Sequence, residues 1–102
     1  MKYGRTKAVN TNALDYIKKV IIFTDKYAEN NNLYVGLDCP NGEQYCDLTT
    51  NLSYVLPFPY AFVKDDTELA EFIEEQNLAE FTGRQAQSGF NTYNLYKFNI
   101  EK

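Results

Sequence analysis

Leu33-Tyr34-Val35-Gly36-Leu37-Asp38-Cys39-Pro40-Asn41-Gly42-Glu43-Gln44-Tyr45-Cys46-Asp47 is the stretch that decides the architecture. Leu33, Val35, Leu37 and Cys39 fall on one face of an alternating segment, the period of a half-buried strand. Pro40-Asn41-Gly42-Glu43 interrupts it with turn chemistry, because Asn-Gly tolerates the positive φ pair of a tight hairpin. Tyr45 to Thr50 is then the returning strand. With Asn41-Gly42 as a two-residue loop, Cys39 opposes Gln44 and Leu37 opposes Cys46. The two cysteines are then diagonal, roughly 7–8 Å apart at Cα and beyond easy disulfide reach. A four-residue loop places them directly opposite each other instead. Two cysteines make no framework of the secreted kind, so both read as reduced thiols.

Outward from this hairpin, the pattern continues in short strands. Lys19 to Tyr27 holds the β-branched and aromatic run Val20-Ile21-Ile22-Phe23-Thr24, and Asn30-Asn31-Asn32 closes it with a turn. Residues 1–10 show no periodicity and read as a mobile arm, leaving 11–102 as a single domain. Residues 11–19 can open on an Asn12 cap and make a short helical turn. Downstream, Leu52 to Pro59 is a connection, since Pro57 and Pro59 cannot donate to a central ladder. Tyr60–Lys64 is a short strand. Asp65 is placed to cap a helix over about 66–77, with Glu68 at the capping-box position. Leu69, Phe72, Ile73 and Gln76 line one face of that helix, and Asn77 suits the left-handed residue that ends it. Ala79 to Thr82 fits a strand, Gly83 to Gly89 a loop, and Thr92 to Ile100 a last strand with Tyr96, Phe98 and Ile100 toward the core. The expected fold class is α+β, a mostly antiparallel sheet of about five to six short strands with one main helix.

Composition excludes much chemistry. The 102-residue chain has no histidine, so it lacks an imidazole base, a Ser-His or Cys-His nucleophile and a histidine metal ligand. Ten basic against fourteen acidic residues give a net charge of −4, the opposite of a nucleic-acid footprint. Seven of the acids lie between Asp65 and Glu80, where there is no Lys or Arg; Lys2, Arg5 and Lys7 form the one basic cluster. The longest apolar run near the start, Val20 to Phe23, is short for either a leader or a membrane span, so the chain reads as soluble and unexported.

Each remaining constellation has a plain structural reading beside the functional one. Asp65, Asp66 and Glu68 lack calcium-loop spacing and suit the positive end of a helix. Ser88 in Ala86-Gln87-Ser88-Gly89-Phe90 has neither the preceding glycine nor the base of a nucleophile elbow. Gly83 and Gly89 lack the Gly-Lys-Ser/Thr end of a phosphate loop. Cys46 beside Asp47 has no Lys or Arg near it in sequence to stabilise a thiolate. No catalytic, cofactor-binding or metal-binding residue is assigned. The acidic helix face of Glu68, Glu71, Glu74 and Glu75 is a candidate mimic of a phosphate backbone. Phe58, set between two prolines, together with Ser88, Phe90 and Tyr93 of the 82–93 segment, is the candidate contact surface for a protein partner.

An ordered series of short motifs then carries a resemblance. Leu48-Thr49-Thr50-Asn51-Leu52, Ala61-Phe62-Val63-Lys64-Asp65-Asp66, Asn77-Leu78-Ala79, Thr82-Gly83, Ser88-Gly89-Phe90 and Tyr93 with Tyr96-Lys97-Phe98 resemble a family of small domains of unknown function. That family is encoded largely on conjugative transposons and related mobile elements of low-GC Gram-positive bacteria, and the likeness spans roughly residues 19–100. It implies a cytoplasmic location and names no activity. Residues with AT-rich codons (Phe, Tyr, Met, Ile, Asn, Lys) fill 41 of 102 positions, consistent with such a genome. The expectation is a non-catalytic interaction or accessory module, not an enzyme, with no cofactor, an unidentified protein partner, no nucleic acid, no membrane, and a monomeric or weakly self-associating state. An acidic DNA mimic of the antirestriction type is the alternative, and a small enzyme using Cys46 or carboxylates is the third reading.

Overall fold

The structure is a computed structural model that describes all 102 residues. Seven strands and one helix follow in the order β1 (Lys7–Asn10), β2 (Lys19–Lys26), β3 (Leu33–Asp38), β4 (Gln44–Asp47), β5 (Tyr60–Lys64), α1 (Thr67–Glu75), β6 (Ala79–Ser88) and β7 (Asn91–Phe98). They form two antiparallel sheets, one ordered β1-β2-β3-β4 and the other β5-β7-β6. The fold is therefore α+β, as the alternation predicts, but with two sheets and seven strands instead of one sheet of five or six.

The extra strand comes from the expected arm. Lys7–Asn10 pairs with β2, placing Val9 against Val20, and both side chains turn inward. Tyr3 and Glu101 are also joined, the Tyr3 N–H donating to Glu101 O at 2.6 Å. Four residues are too few for a periodic signal, and the partner supplies what the segment itself lacks.

The helical turn expected over 11–19 is not formed. Thr11 is buried, and its hydroxyl accepts from Ala13 N at 3.0 Å, a local turn that competes with helix. Thr11 N donates across to Lys18 O, and Tyr16 adopts φ 63. The segment is a loop that joins β1 to β2.

At the decisive hairpin Leu37 pairs with Cys46 as expected, while the loop is one residue longer than the Asn-Gly reading. Gly42 N donates to Cys39 O, Cys39 N donates to Glu43 O, and Gly42 takes φ 93. That is a turn over Cys39–Gly42 that ends on a left-handed glycine, the common three-residue solution. The register then shifts, with Tyr45 as the extra residue. Cys39 and Cys46 are both free thiols.

Helix α1 is capped by Asp66 instead of Asp65: Asp66 Oδ1 accepts from Leu69 N at 3.1 Å. Its end follows the sequence signal, with Asn77 at φ 48 and Leu78 N donating to Ile73 O. Phe72 and Ile73 enter a core shared by both sheets, which includes Val20, Val35, Leu37, Ala61, Val63, Tyr96 and Phe98. The isolated pairing of Thr50 with Phe62 ties the connection after the first sheet to the second. No helix is long and apolar enough to cross a membrane.

Candidate functional site

Strand β6 does not stop at Thr82. The segment expected as a loop over 83–89 continues as strand to Ser88, paired with β7 from Gln85↔Asn94 to Ser88↔Asn91. The interruption that the sequence shows as Gly83 is a bulge: the register shifts between Phe81 and Gln85, Gly83 takes φ 87, and Thr82 Oγ1 donates to Leu95 O at 2.8 Å. Beyond it Gly89-Phe90 is a two-residue hairpin loop with its positive φ at the glycine. The ladder with β5 ends at Lys64↔Tyr93, so the tip of this hairpin projects past its neighbour.

Phe90 crowns the tip fully exposed, and Ser88 is exposed beside it. An exposed phenylalanine forgoes roughly 2–3 kcal/mol of burial and gives the fold nothing in return. Tyr93 is half-buried at the base of the hairpin. By alternation, Asn94, Tyr96 and Phe98 turn into the core while Tyr93, Leu95 and Lys97 stand on the opposite, outer face. Phe62 and Tyr60 of β5 share that face through the pairs Phe62↔Leu95 and Tyr60↔Lys97. Tyr54 folds over it, its ring 5.9 Å from that of Phe62, and Tyr54 and Val55 remain exposed. A shallow cavity of about 320 Å³ lies here, lined by Leu56, Pro57, Tyr60, Thr82, Arg84 and Leu95.

The outer face also carries a charge unlike the rest of the chain. Lys64 pairs with Tyr93, Lys97 with Tyr60, and Arg84 lines the cavity; Glu80, opposite Lys97, is the one carboxylate in these pairings. An apolar centre with three cations at its margin therefore sits on a protein of net charge −4. Tyr54, Val55 and Leu95 were not among the expected contact residues, and Arg84 lies in the expected 82–93 segment without being singled out there. The strand alternation of Tyr93 and Leu95 against Tyr96 and Phe98 is the signal that marks this face. What conceals it in sequence is that the fourth participating segment, 54–57, lies in a connection.

The structure divides the expected contact surface. Ser88, Phe90 and Tyr93 are brought together, whereas Phe58 lies by the other end of β7, where Pro59 O accepts from Phe98 N. Seven residue steps, roughly 23 Å at ~3.3 Å each, separate the two ends. The molecule is only 32 Å in its longest dimension.

It also divides the acidic helix face. Glu75 Oε1 accepts from Thr11 Oγ1 at 2.6 Å, and its Oε2 accepts from Asn12 N at 2.8 Å. The Thr11 and Asn12 hydrogen bonds hold the Glu75 carboxyl below its ordinary range. Glu68 Oε1 accepts from Asp15 N at 3.3 Å and from the Tyr45 hydroxyl at 3.2 Å. Burial, with the Glu68 carboxylate second, pushes the Tyr45 phenol up to about 12. Two of the four carboxylates thus cap the 11–18 loop, and Glu71 and Glu74 stay exposed.

Cys46 is half-buried, and burial pushes its thiol up to about 11, with Asp47, Glu68 and Asp66 adding to the shift. No cation contributes, so at neutral pH the sulfur is the protonated thiol, a poor nucleophile. No group of three or more His, Cys, Asp or Glu side chains is gathered to hold a metal ion.

No curated protein and no solved structure matches this chain. The sequence pattern of a domain of unknown function, DUF4313, matches residues 22–102, which runs from within β2 through β7 and takes in the helix and the whole outer face just described. The chain belongs to the DUF4313 family of domains.

Proposed function

We propose that this protein is a non-catalytic interaction module, cytoplasmic and carried in the accessory machinery of a mobile genetic element. It binds a protein partner through the outer face of β5-β7-β6 and the Phe90 hairpin tip. The observation that carries the reading is the face itself: Leu95 and Arg84 line a shallow cavity, Tyr54, Val55, Tyr93 and Phe90 are exposed or half-exposed on the same sheet face and its hairpin, and Lys64 and Lys97 stand in its strand pairs. Apolar centre with charged margin is the anatomy of a docking surface. The positive rim on an acidic chain selects a partner whose surface is apolar with carboxylates at its edge. The protonated Cys46 thiol and the absence of histidine support a non-catalytic role. The mobile-element setting rests on the motif resemblance.

Affinity purification from cells that carry the chain natively tests this reading, comparing the wild type with Phe90→Ser and with Arg84→Glu. A protein retained by the wild type and lost from both variants is expected. A fluorescent single-stranded oligonucleotide is titrated in parallel, because tyrosines with cations on a sheet can also stack bases. Oligonucleotide binding that Arg84→Glu abolishes would reassign the face to nucleic acid and overturn the proposal.

A further inference from the structure

At the far end of the molecule from the hairpin tip, four separate segments enclose a second cavity, of about 490 Å³. Tyr3 and Phe58 form two of its walls, their rings edge to face at 5.8 Å and 82°. Leu33, buried, is its apolar base, and Lys26 stands directly across the strand pair from it. Asn31, held at φ 61 in the turn between β2 and β3, lines the cavity as well. Lys102 completes it, with its Nζ 5.0 Å from the Phe58 ring centroid. The backbone fixes this assembly: Tyr3 N donates to Glu101 O, Glu101 N donates to Met1 O, and Gly4 N donates to Thr24 Oγ1 at 2.7 Å.

Two lysines and no aspartate or glutamate line the cavity. Asp25 precedes Lys26 but lies on the other face of β2, opposite Tyr34, by strand alternation. Two lysines around an aromatic corner, one of them over the Phe58 ring, favour a ligand that is both anionic and planar. The ring stacks on Tyr3 or Phe58, and the anion takes the two ammoniums, an arrangement neither group could hold alone. The volume is in the ordinary range for a small-molecule site. We infer that the Tyr3–Phe58–Lys26–Lys102 cavity is a binding site for a small aromatic anion, a ring bearing one phosphate or carboxylate. It is separate from the docking face, and it gives Phe58 a role apart from Phe90.

The full chain, labelled for NMR, is titrated with phenyl phosphate, and with inorganic phosphate and phenol as the two halves of that probe. The expected result is a saturable shift of the Tyr3, Lys26, Asn31 and Leu33 amides by phenyl phosphate, with each half at least tenfold weaker. Lys26→Met and Lys102→Met keep the aliphatic stems of exposed residues, so a preserved amide spectrum shows that both variants fold. Each weakens phenyl phosphate roughly fivefold, the loss expected of one solvent-screened charge contact. Non-saturating shifts, shifts centred on Lys2, Arg5 and Lys7, or folded lysine variants with unchanged affinity would each overturn the inference. Inorganic phosphate binding as tightly as phenyl phosphate would remove the aromatic part of the assignment and contradict it.

Discussion

At the scale of single residues, two positions show how a bland sequence feature becomes a structural requirement. Gly36 lies in the middle of β3 opposite Phe23, where a glycine is normally a weakness. A Cβ there would meet the Tyr34 hydroxyl oxygen at 2.5 Å and Phe23 Cζ at 2.6 Å. The Tyr34 hydroxyl is in turn fixed by donating to Asp47 Oδ1, and its ring packs edge-on against Tyr27 at 5.3 Å. Gly36→Ala therefore displaces anchored rings and costs about 1 kcal/mol, net of what alanine gains by restricting the unfolded chain. Urea unfolding would show the midpoint falling by just under ~1 M, and an unchanged midpoint would contradict the packing. The asparagine triplet is a second case. Asn32 is buried; its Nδ2 donates to Tyr54 O at 2.7 Å and to Asn51 Oδ1 at 3.1 Å, and its Oδ1 accepts from Leu56 N at 2.8 Å. Asn32→Ala strands the Leu56 N–H and the Tyr54 carbonyl and should cost roughly 2–3 kcal/mol. Asn30→Ala, which loses a 3.2 Å bond to Asn51 and one to the Asn32 N–H, should cost about 1 kcal/mol or less. Equal losses would show that the network is not centred on Asn32. Turn propensity makes the triplet visible in sequence, while its partners, nineteen to twenty-four residues away, are not.

At the scale of elements, what the sequence discloses depends on whether an element's signal is its own. Strands β2, β3 and β5 carry their periodicity within themselves, and so does the apolar face of α1. All four lie where the pattern places them. Strand β1 and the distal half of β6 draw their order from neighbours already paired, which is why Lys7–Asn10 reads as an arm and Gly83–Ser88 as a loop. The acidic helix face was legible as a row of carboxylates but not as two caps on the 11–18 loop. That assignment has a pH consequence. The folded Glu75 carboxyl titrates below its ordinary 4.5, so its contribution is fully present above that value. It is lost as pH falls through the lower, folded-state value. The Asn12 amide should report a titration on the acid side of the ordinary Glu range by NMR, and Glu75→Gln should abolish that step. Because Glu75 is solvent-exposed, the stability at stake is screened to roughly 0.5–1 kcal/mol. The same division weakens the DNA-mimic reading, leaving Glu71 and Glu74 as the unengaged pair. Reversing both to Lys should alter stability by no more than ~0.5 kcal/mol. A restriction digest should proceed at the same rate with and without the wild-type chain, and inhibition lost on that reversal would restore the mimic.

At the scale of the whole molecule, the proposed binding roles fall on two surfaces with no lining residue in common: an apolar face with a positive rim, and a small aromatic corner holding two lysines. Ser88, Phe90 and Tyr93 were legible because local features mark them, a turn glycine and a strand alternation. Their extension through Tyr54 and Val55 was not, since it depends on a connection folding back over a sheet. Phe90→Ser belongs to this scale, because a fully exposed side chain holds nothing in place. The variant should keep the wild-type urea midpoint within ~0.5 kcal/mol while losing the partner. A loss of stability would mean that Phe90 packs in the fold. The most direct measurement of the central claim is a photo-crosslinking footprint in cells that carry the chain natively, with benzoylphenylalanine placed singly at Val55, Phe90, Glu71 and Tyr16. All four positions are exposed, but only Val55 and Phe90 belong to the outer face and its hairpin. The docking account predicts one protein captured from positions 55 and 90 and not from 71 or 16. Capture from position 71 or 16 with none from 55 and 90 would contradict it.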